Sequence, residues 1–372
     1  MLPEILSLEK VNVSEAVGRC ADSLLRGKLL VFPTETVYGL AAIASNANAV
    51  SRLCIEKERR QGHALPLAVS GFEMVREFVS DAPPLAERLA RRFWPGPLTL
   101  VVDASESGGK WRSFSKDALK AIMPQNSCGF RAPQNDFLLN VIRRVGVPVV
   151  LTSANISGRP PATTVKEAIE SLGDRVDLYV DGGPAAYGQP STVAKIDENG
   201  ITILREGAVS SKALKNASVK TIMFVCSANR GRSPMAEGIT KVILGKELGV
   251  SPDKLEENGF RVISSGTDAY ESLPATPPVI RVMEDDYGLS LKQHRSKRVT
   301  LEMLKDSDVV FTMEIAHRDL LHRLYPDGAN RIITLSPDEK DIADPYGSSV
   351  KEHRKCARQL ESLIKARLGM IL

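Results

Sequence analysis

The chain has 372 residues, 43% of them hydrophobic and 25% charged, and carries a formal net charge of +4. That length exceeds what one core ordinarily organises and predicts two domains, while the apolar and charged shares exclude long disorder. The slight excess of cations suits anionic ligands without demanding nucleic acid.

In chain order, the first part alternates strands and helices. Residues 28–33 (KLLVFP) predict a strand, 46–59 a helix, 65–70 (LPLAVS) a strand and 83–94 (PPLAERLARRFW) a helix. The runs LTLVVDAS, VPVVLTS, LYVDGG, TVAKID and ITILREG continue the strands to Gly207, giving an α/β domain over 1–207 with a large twisted sheet. Residues 208–219 show no periodic face and read as a linker. The pattern then restarts over 220–372. TIMFVCS, RVISSGTD, DVVFTM and RIITLS are strands, and helices follow from Ser233, over 276–287, after 313 and from about Val350. Four strand–helix alternations predict a four-stranded parallel sheet of the Rossmann-like kind.

Five cysteines, odd in number and without close pairing, suggest neither a disulfide framework nor a zinc site, so a reducing, cytoplasmic setting is expected. No run nears about 18 unbroken apolar residues, and the first residues lack a basic flank before an apolar core; neither a membrane span nor a signal peptide is expected.

The chemistry of the second half centres on CSANRGRS, Cys226 to Ser233, on the turn from the first strand into the first helix. Ligands of open parallel sheets bind at such strand ends. Asn229 and Gly231 tolerate left-handed backbone, so the amides of Ser227, Ala228, Asn229, Arg230, Gly231 and Arg232 can curl around one anion. Beside that nest, the helix dipole and Arg232 favour a thiolate at Cys226, a nucleophile facing phosphorus. Arg232 can hold two phosphoryl oxygens and Ser233 can donate to the sulfur. Asp344, in DIADPYGSS, is the loop carboxylate expected to protonate the leaving oxygen, with Tyr346 as a wall. His294 is expected to bond backbone near the loop and not to act as a base.

These residues resemble the low-molecular-weight protein tyrosine phosphatase family, whose Cys-x5-Arg-Ser and Asp-Pro-Tyr motifs match here; the likeness runs from about Thr221 to Leu372. The resemblance implies Cys226 as nucleophile, Arg232 as phosphate clamp, Ser233 as thiolate donor and Asp344 as general acid, acting on phosphoprotein without a metal. Arg230 stands where the family carries a smaller or aliphatic residue, and Gly231 replaces a frequent second cysteine. Phosphoarginine therefore stays open beside phosphotyrosine. Arsenate reduction is the weaker alternative, because only Cys356 follows Cys226.

In the first half, VFPTETVYGLAA opens a polar pocket at a strand end. Lys57, Arg59, the rigid WPGPLT turn, Arg131 in CGFRAP and the hydroxyls of LTSANISG could surround a triphosphate and neutralise a departing pyrophosphate. Together these stretches, with LREG, resemble the YrdC-like family over about Ser14 to Gly207. That family includes threonylcarbamoyl-adenylate synthase. The resemblance implies ATP, L-threonine and bicarbonate as substrates, with Mg2+, and threonylcarbamoyl-adenylate and pyrophosphate as products. It further implies hand-over to a tRNA threonylcarbamoyl-transferase complex. Thr36, Arg131 and Ser191 are implied as the threonine site; Lys57, Arg59, Ser153, Asn155 and Arg205 as the ATP site, with Lys57 and Arg59 also catalytic. The run KERRQGHALPL is about two residues longer than usual for the family. A rival reading makes the first half an RNA-binding module that releases no pyrophosphate.

Overall fold

The computed structural model describes residues 3–58, 64–106 and 108–372. It divides into two compact units, Met1–Ser218 and Val219–Leu372.

The first unit holds ten strands: β1 (Ile5–Ser7), β2 (Leu30–Phe32), β3 (Gly39–Ile43), β4 (Leu67–Ala68), β5 (Leu98–Asp103), β6 (Ser127–Arg131), β7 (Val149–Ser153), β8 (Leu178–Asp181), β9 (Thr192–Asp197) and β10 (Gly200–Arg205). They form one mixed sheet in the order β1-β8-β2-β3-β7-β4-β6-β5-β9-β10. The interior strands β2 and β3 are buried at every position, which explains their unbroken apolar sequence. Antiparallel β3 and β7 pair Gly39 with Ser153, so the Pro33–Tyr38 turn and the Ser153 turn emerge at the same edge. Parallel β5 and β9 pair Leu98 with Thr192, bringing Thr99 beside Ser191. Residues distant in sequence therefore meet along one rim.

Of the stretch 208–219, expected as a linker, residues 208–218 instead pack as the last layer of this unit. Ser211–Ser218 is a helix, and the Ser210 hydroxyl accepts from the Ala213 amide at its start. Val209, Leu214 and Ala217 join the first unit's core. Thr192 exchanges hydrogen bonds with Val209, and the guanidiniums of Arg88 and Arg92 donate to the carbonyls of Ser218 and Ala217. Its apolar face rests on Leu214 and Ala217, three apart, with Ala213 packed against the same core. That pattern is too brief to stand out in a sequence.

The second unit is a four-stranded parallel sheet, ordered β12-β11-β13-β14, of β11 (Lys220–Cys226), β12 (Phe260–Gly266), β13 (Val309–Thr312) and β14 (Ile332–Thr334). Side chains of β11 alternate between two cores: Ile222, Phe224 and Cys226 on one face, Met223 and Val225 on the other. The strand order reverses beside β11, so the ends of β11 and β13 flank a crevice. Cys226 and Glu314 stand there.

Among the described residues no helix is long and apolar enough to cross a membrane. Leu214 is 1% exposed, so Leu214→Ala is expected to remove about 2–4 kcal/mol from the unfolding of the first unit alone. Urea unfolding followed by each unit's own probe checks this; a silent substitution would return 208–219 to linker status.

Candidate active sites

In the second unit, the turn between β11 and the helix Arg232–Leu248 is shaped by Asn229, which is fully buried and has φ +54. Its amide nitrogen donates to Ser233 Oγ (3.0 Å) and Ser264 Oγ (2.9 Å), and its Oδ1 accepts from the Lys297 amide (2.9 Å). His294 Nε2 lies 2.7 Å from the Asn229 carbonyl, the backbone contact expected of it. Gly266 closes β12 against this loop: a Cβ there would lie 2.3 Å from the Ser227 carbonyl oxygen. Three segments thus fix the curl before any anion arrives.

Cys226 Sγ lies 3.0 Å from Ser233 Oγ, which also contacts the Ser265 carbonyl at 3.2 Å. Arg232 is 2% exposed. Its Nη1 donates to Glu314 (2.5 Å) and the Ile342 carbonyl (2.7 Å), and its Nη2 to Asp344 Oδ2 (2.8 Å). Nε is buried without a partner. Burial opposes the charge on Arg232, but Glu314, Asp344 and Cys226 together hold its pKa above the ordinary value. Asp344 Oδ1 also accepts from the Tyr346 amide, and Tyr346 is 75% exposed. The structure therefore gathers Cys226, Arg232, Ser233 and Asp344, and adds Glu314, which sequence reasoning missed. Its signal is positional: Glu314 lies two residues beyond the end of a parallel strand.

In the first unit a cavity of about 480 Å³ opens at the shared rim. Thr36, Arg131, Ser191, Ser153 and Arg205, all named from the sequence, line it, together with Thr34 and Thr99, which were not. Arg131 donates from Nε to the Gly96 carbonyl (3.1 Å) and from Nη2 to Thr36 Oγ1 (2.8 Å). The same Nη2 lies 2.8 Å from Oε1 of the buried Glu35, an ion pair without aligned hydrogen bonds to either carboxylate oxygen. Arg205 Nη2 reaches the Ser191 carbonyl (2.8 Å) and Oγ (3.2 Å). Burial, and then the charge of Arg131, lower the pKa of Arg205. Two guanidiniums that repel across a cavity lined, among the described residues, by no carboxylate make a receptor for an anion.

Lys57 and Asn155 stand elsewhere than expected. Lys57 is 3% exposed, and its ammonium donates to the Ser153 carbonyl (2.6 Å) and the Asn155 carbonyl (2.8 Å). The Asn155 amide donates to the carbonyls of Ile156 and Arg159. Neither side chain lines the cavity. Lys57 braces the turn that presents Ser153, because a buried ammonium must take the nearest carbonyls. Arg59 lies outside the described residues.

The Sua5/YciO/YrdC family model, described as "Telomere recombination", matches residues 22–207. The chain belongs to that family. The low molecular weight phosphotyrosine protein phosphatase model matches residues 221–370, so the chain joins both families end to end. The threonylcarbamoyl-AMP synthase of Pyrococcus abyssi is 35% identical over 204 residues, 54% of this chain and 57% of that protein. This chain thus spans little more than half of that relative. A putative threonylcarbamoyl-AMP synthase of Mycobacterium tuberculosis is 34% identical over 203 residues, 54% of this chain and 88% of that protein. The crystal structure of P. abyssi Sua5 complexed with L-threonine shares the fold, with a TM-score of 0.51 at 24% identity over 71% of this chain and 92% of that one.

A further buried group sits beside the Cys226–Arg232 loop: His317, 5% exposed, which sequence reasoning also missed. Burial lowers its pKa below the ordinary 6.5, outweighing the pull of Glu314 and joined by the repulsion of Arg232. The unfolded imidazole takes up its proton first, so stability held above pH 6.5 is lost as pH falls through that value towards the depressed folded one. His317→Gln is expected to flatten the pH dependence of urea unfolding of the second unit between about pH 5 and 7; an unchanged slope would contradict the assignment.

Proposed function

We propose that the first unit makes threonylcarbamoyl-adenylate and pyrophosphate from L-threonine, bicarbonate and ATP. The observation that carries this reading is the cavity floor of Arg131, Thr36, Ser191 and Arg205. With Nε and Nη2 engaged, Arg131 keeps Nη1 for the amino acid's carboxylate, while the hydroxyls of Thr36 and Ser191 distinguish a hydroxylated side chain. The threonine amine attacks the bicarbonate carbon, a C–O bond breaks, water leaves and a carbamate is formed. A carbamate oxygen then attacks the α-phosphorus, and pyrophosphate leaves with the bond's electron pair. The chain contributes placement and charge neutralisation, with Arg205 assigned to the phosphates. Among the described residues no group of three or more His, Cys, Asp or Glu could cage a metal. Mg2+ is accordingly read as part of the MgATP substrate, held by its phosphates and water. The product is activated for transfer to an adenosine of tRNA by a separate threonylcarbamoyl-transferase complex.

Arg131→Ala is expected to lower kcat/KM for threonine in a threonine- and bicarbonate-dependent pyrophosphate assay by about 10²-fold or more, the cost of stranding a carboxylate. Pyrophosphate release indifferent to threonine, or tRNA binding without release, would favour an RNA-binding module.

The second unit is read as a phosphomonoesterase acting through a cysteinyl-phosphate. Cys226 Sγ attacks phosphorus, the P–O bond to the leaving group breaks, and Asp344 gives that oxygen its proton; water then hydrolyses the P–S bond and returns the thiol. The single supporting observation is the shared position of Cys226, Ser233, Arg232 and Asp344 around one loop. Arg232 Nε, buried and unpartnered, is the donor left for a phosphoryl oxygen. A phosphate drawing Arg232 towards itself releases Asp344 to face the leaving oxygen. Arg230 is tied by Nε to the Pro274 carbonyl (2.9 Å), placing a second cation beside the loop. It favours the ring of phosphotyrosine and opposes the cationic guanidinium of phosphoarginine.

Cys226→Ser is expected to abolish p-nitrophenyl phosphate hydrolysis and leave pyrophosphate release intact, and phosphotyrosine peptides should be cleaved in preference to phosphoarginine peptides. Both activities lost together, or the reverse preference, would refute this division of labour.

A further inference from the structure

His317 is a buried imidazole that the proposed phosphatase chemistry does not use, yet it touches the centre on two sides. It lies on the helix Ile315–Leu324 that follows β13. Its Nε2 is 2.9 Å from Ser227 Oγ, the hydroxyl immediately after the nucleophile in sequence. The same nitrogen is 3.9 Å from Glu314 Oε2, and the other oxygen of Glu314 holds Arg232. Nδ1 is buried without a partner.

The orphaned Nδ1 settles the tautomer. A buried N–H without an acceptor is rarer and costlier than a bare lone pair, so the proton sits on Nε2. His317 then donates to Ser227 Oγ, and the Ser227 hydroxyl proton must point away from the imidazole. Ser227 carries no other side-chain bond among those the structure shows, which leaves that proton as a free donor on the phosphate loop. The charged groups facing the imidazole are Glu314 on its own helix end, Arg232 on the helix after the loop, and Asp341 and Asp344 on the acid loop.

We propose that His317 is a positioning residue of the phosphatase centre: its neutral ring turns the Ser227 hydroxyl towards bound phosphate and leaves Glu314 to hold Arg232. A second proton, taken by Nδ1, would make the ring a cation and set His317 in competition with Arg232 for Glu314. The site then loses the clamp's orientation at acid pH. This inference rests on the phosphatase reading given above.

The test is steady-state hydrolysis of p-nitrophenyl phosphate by the full chain across pH 4.5 to 8, for His317→Leu, His317→Gln, Ser227→Ala and the His317→Leu/Ser227→Ala double variant. Loss of one aimed donor is expected to lower kcat/KM about tenfold in His317→Leu and in Ser227→Ala. His317→Gln, whose amide can donate from the Nε2 position, should recover to within about threefold and move the acid limb to lower pH. The double variant should be no worse than the lower single, because both remove one interaction. Multiplicative losses, or wild-type kinetics and an unmoved acid limb in the singles, overturn the proposal. Should His317→Leu fail to fold, Ser227→Ala, on a partly exposed loop position, and His317→Gln decide alone. A wild-type chain without turnover overturns the phosphatase reading and this inference with it; turnover with silent variants overturns the inference only.

Discussion

A guanidinium withdrawn from water must find a carboxylate or carbonyls within reach, and this requirement arranges both sites. Arg232, almost wholly enclosed, is held by Glu314, Asp344 and the Ile342 carbonyl. Arg131 is held by Glu35, Thr36 and the Gly96 carbonyl. In each case the partners fix the direction of the cation before ligand binds. The partners also belong to separate strand ends, which makes the sheet order itself a condition of function.

The two sites solve the problem with different architecture. The Cys226–Arg232 loop is local: its residues are consecutive, and Asn229 ties them to β12 and to the loop carrying His294. The cavity of the first unit is dispersed, drawing on the turn after β2, the segment just before β9 and residues within β4, β5, β6, β7 and β10. A local site survives drift in the surrounding sheet, whereas a dispersed one depends on every register between β3 and β10.

That difference explains how much could be read from residues alone. CSANRGRS and DPYGSS carry their chemistry in a few adjacent letters, and the alternating strands of the second unit were plain. β3, the run GLAAI, was not recognised as a strand because glycine and alanine lack strand preference; its complete burial makes it one. The roles of Glu35, Glu314 and His317 could not be read from their sequence neighbours, since their importance comes from partners far along the chain. Lys57 was legible as a cation and illegible as a brace: its direction depends on carbonyls about a hundred residues away.

The helix Ser211–Ser218 ends immediately before Val219, and the amide of Lys220 already bonds the Gly259 carbonyl. The covalent junction is therefore almost without slack. An endoprotease must draw an extended segment of several residues into its cleft, and the 208–220 stretch offers none without first peeling Leu214 from the core or Lys220 from its strand. Cleavage between the units would therefore report local unfolding of one of them.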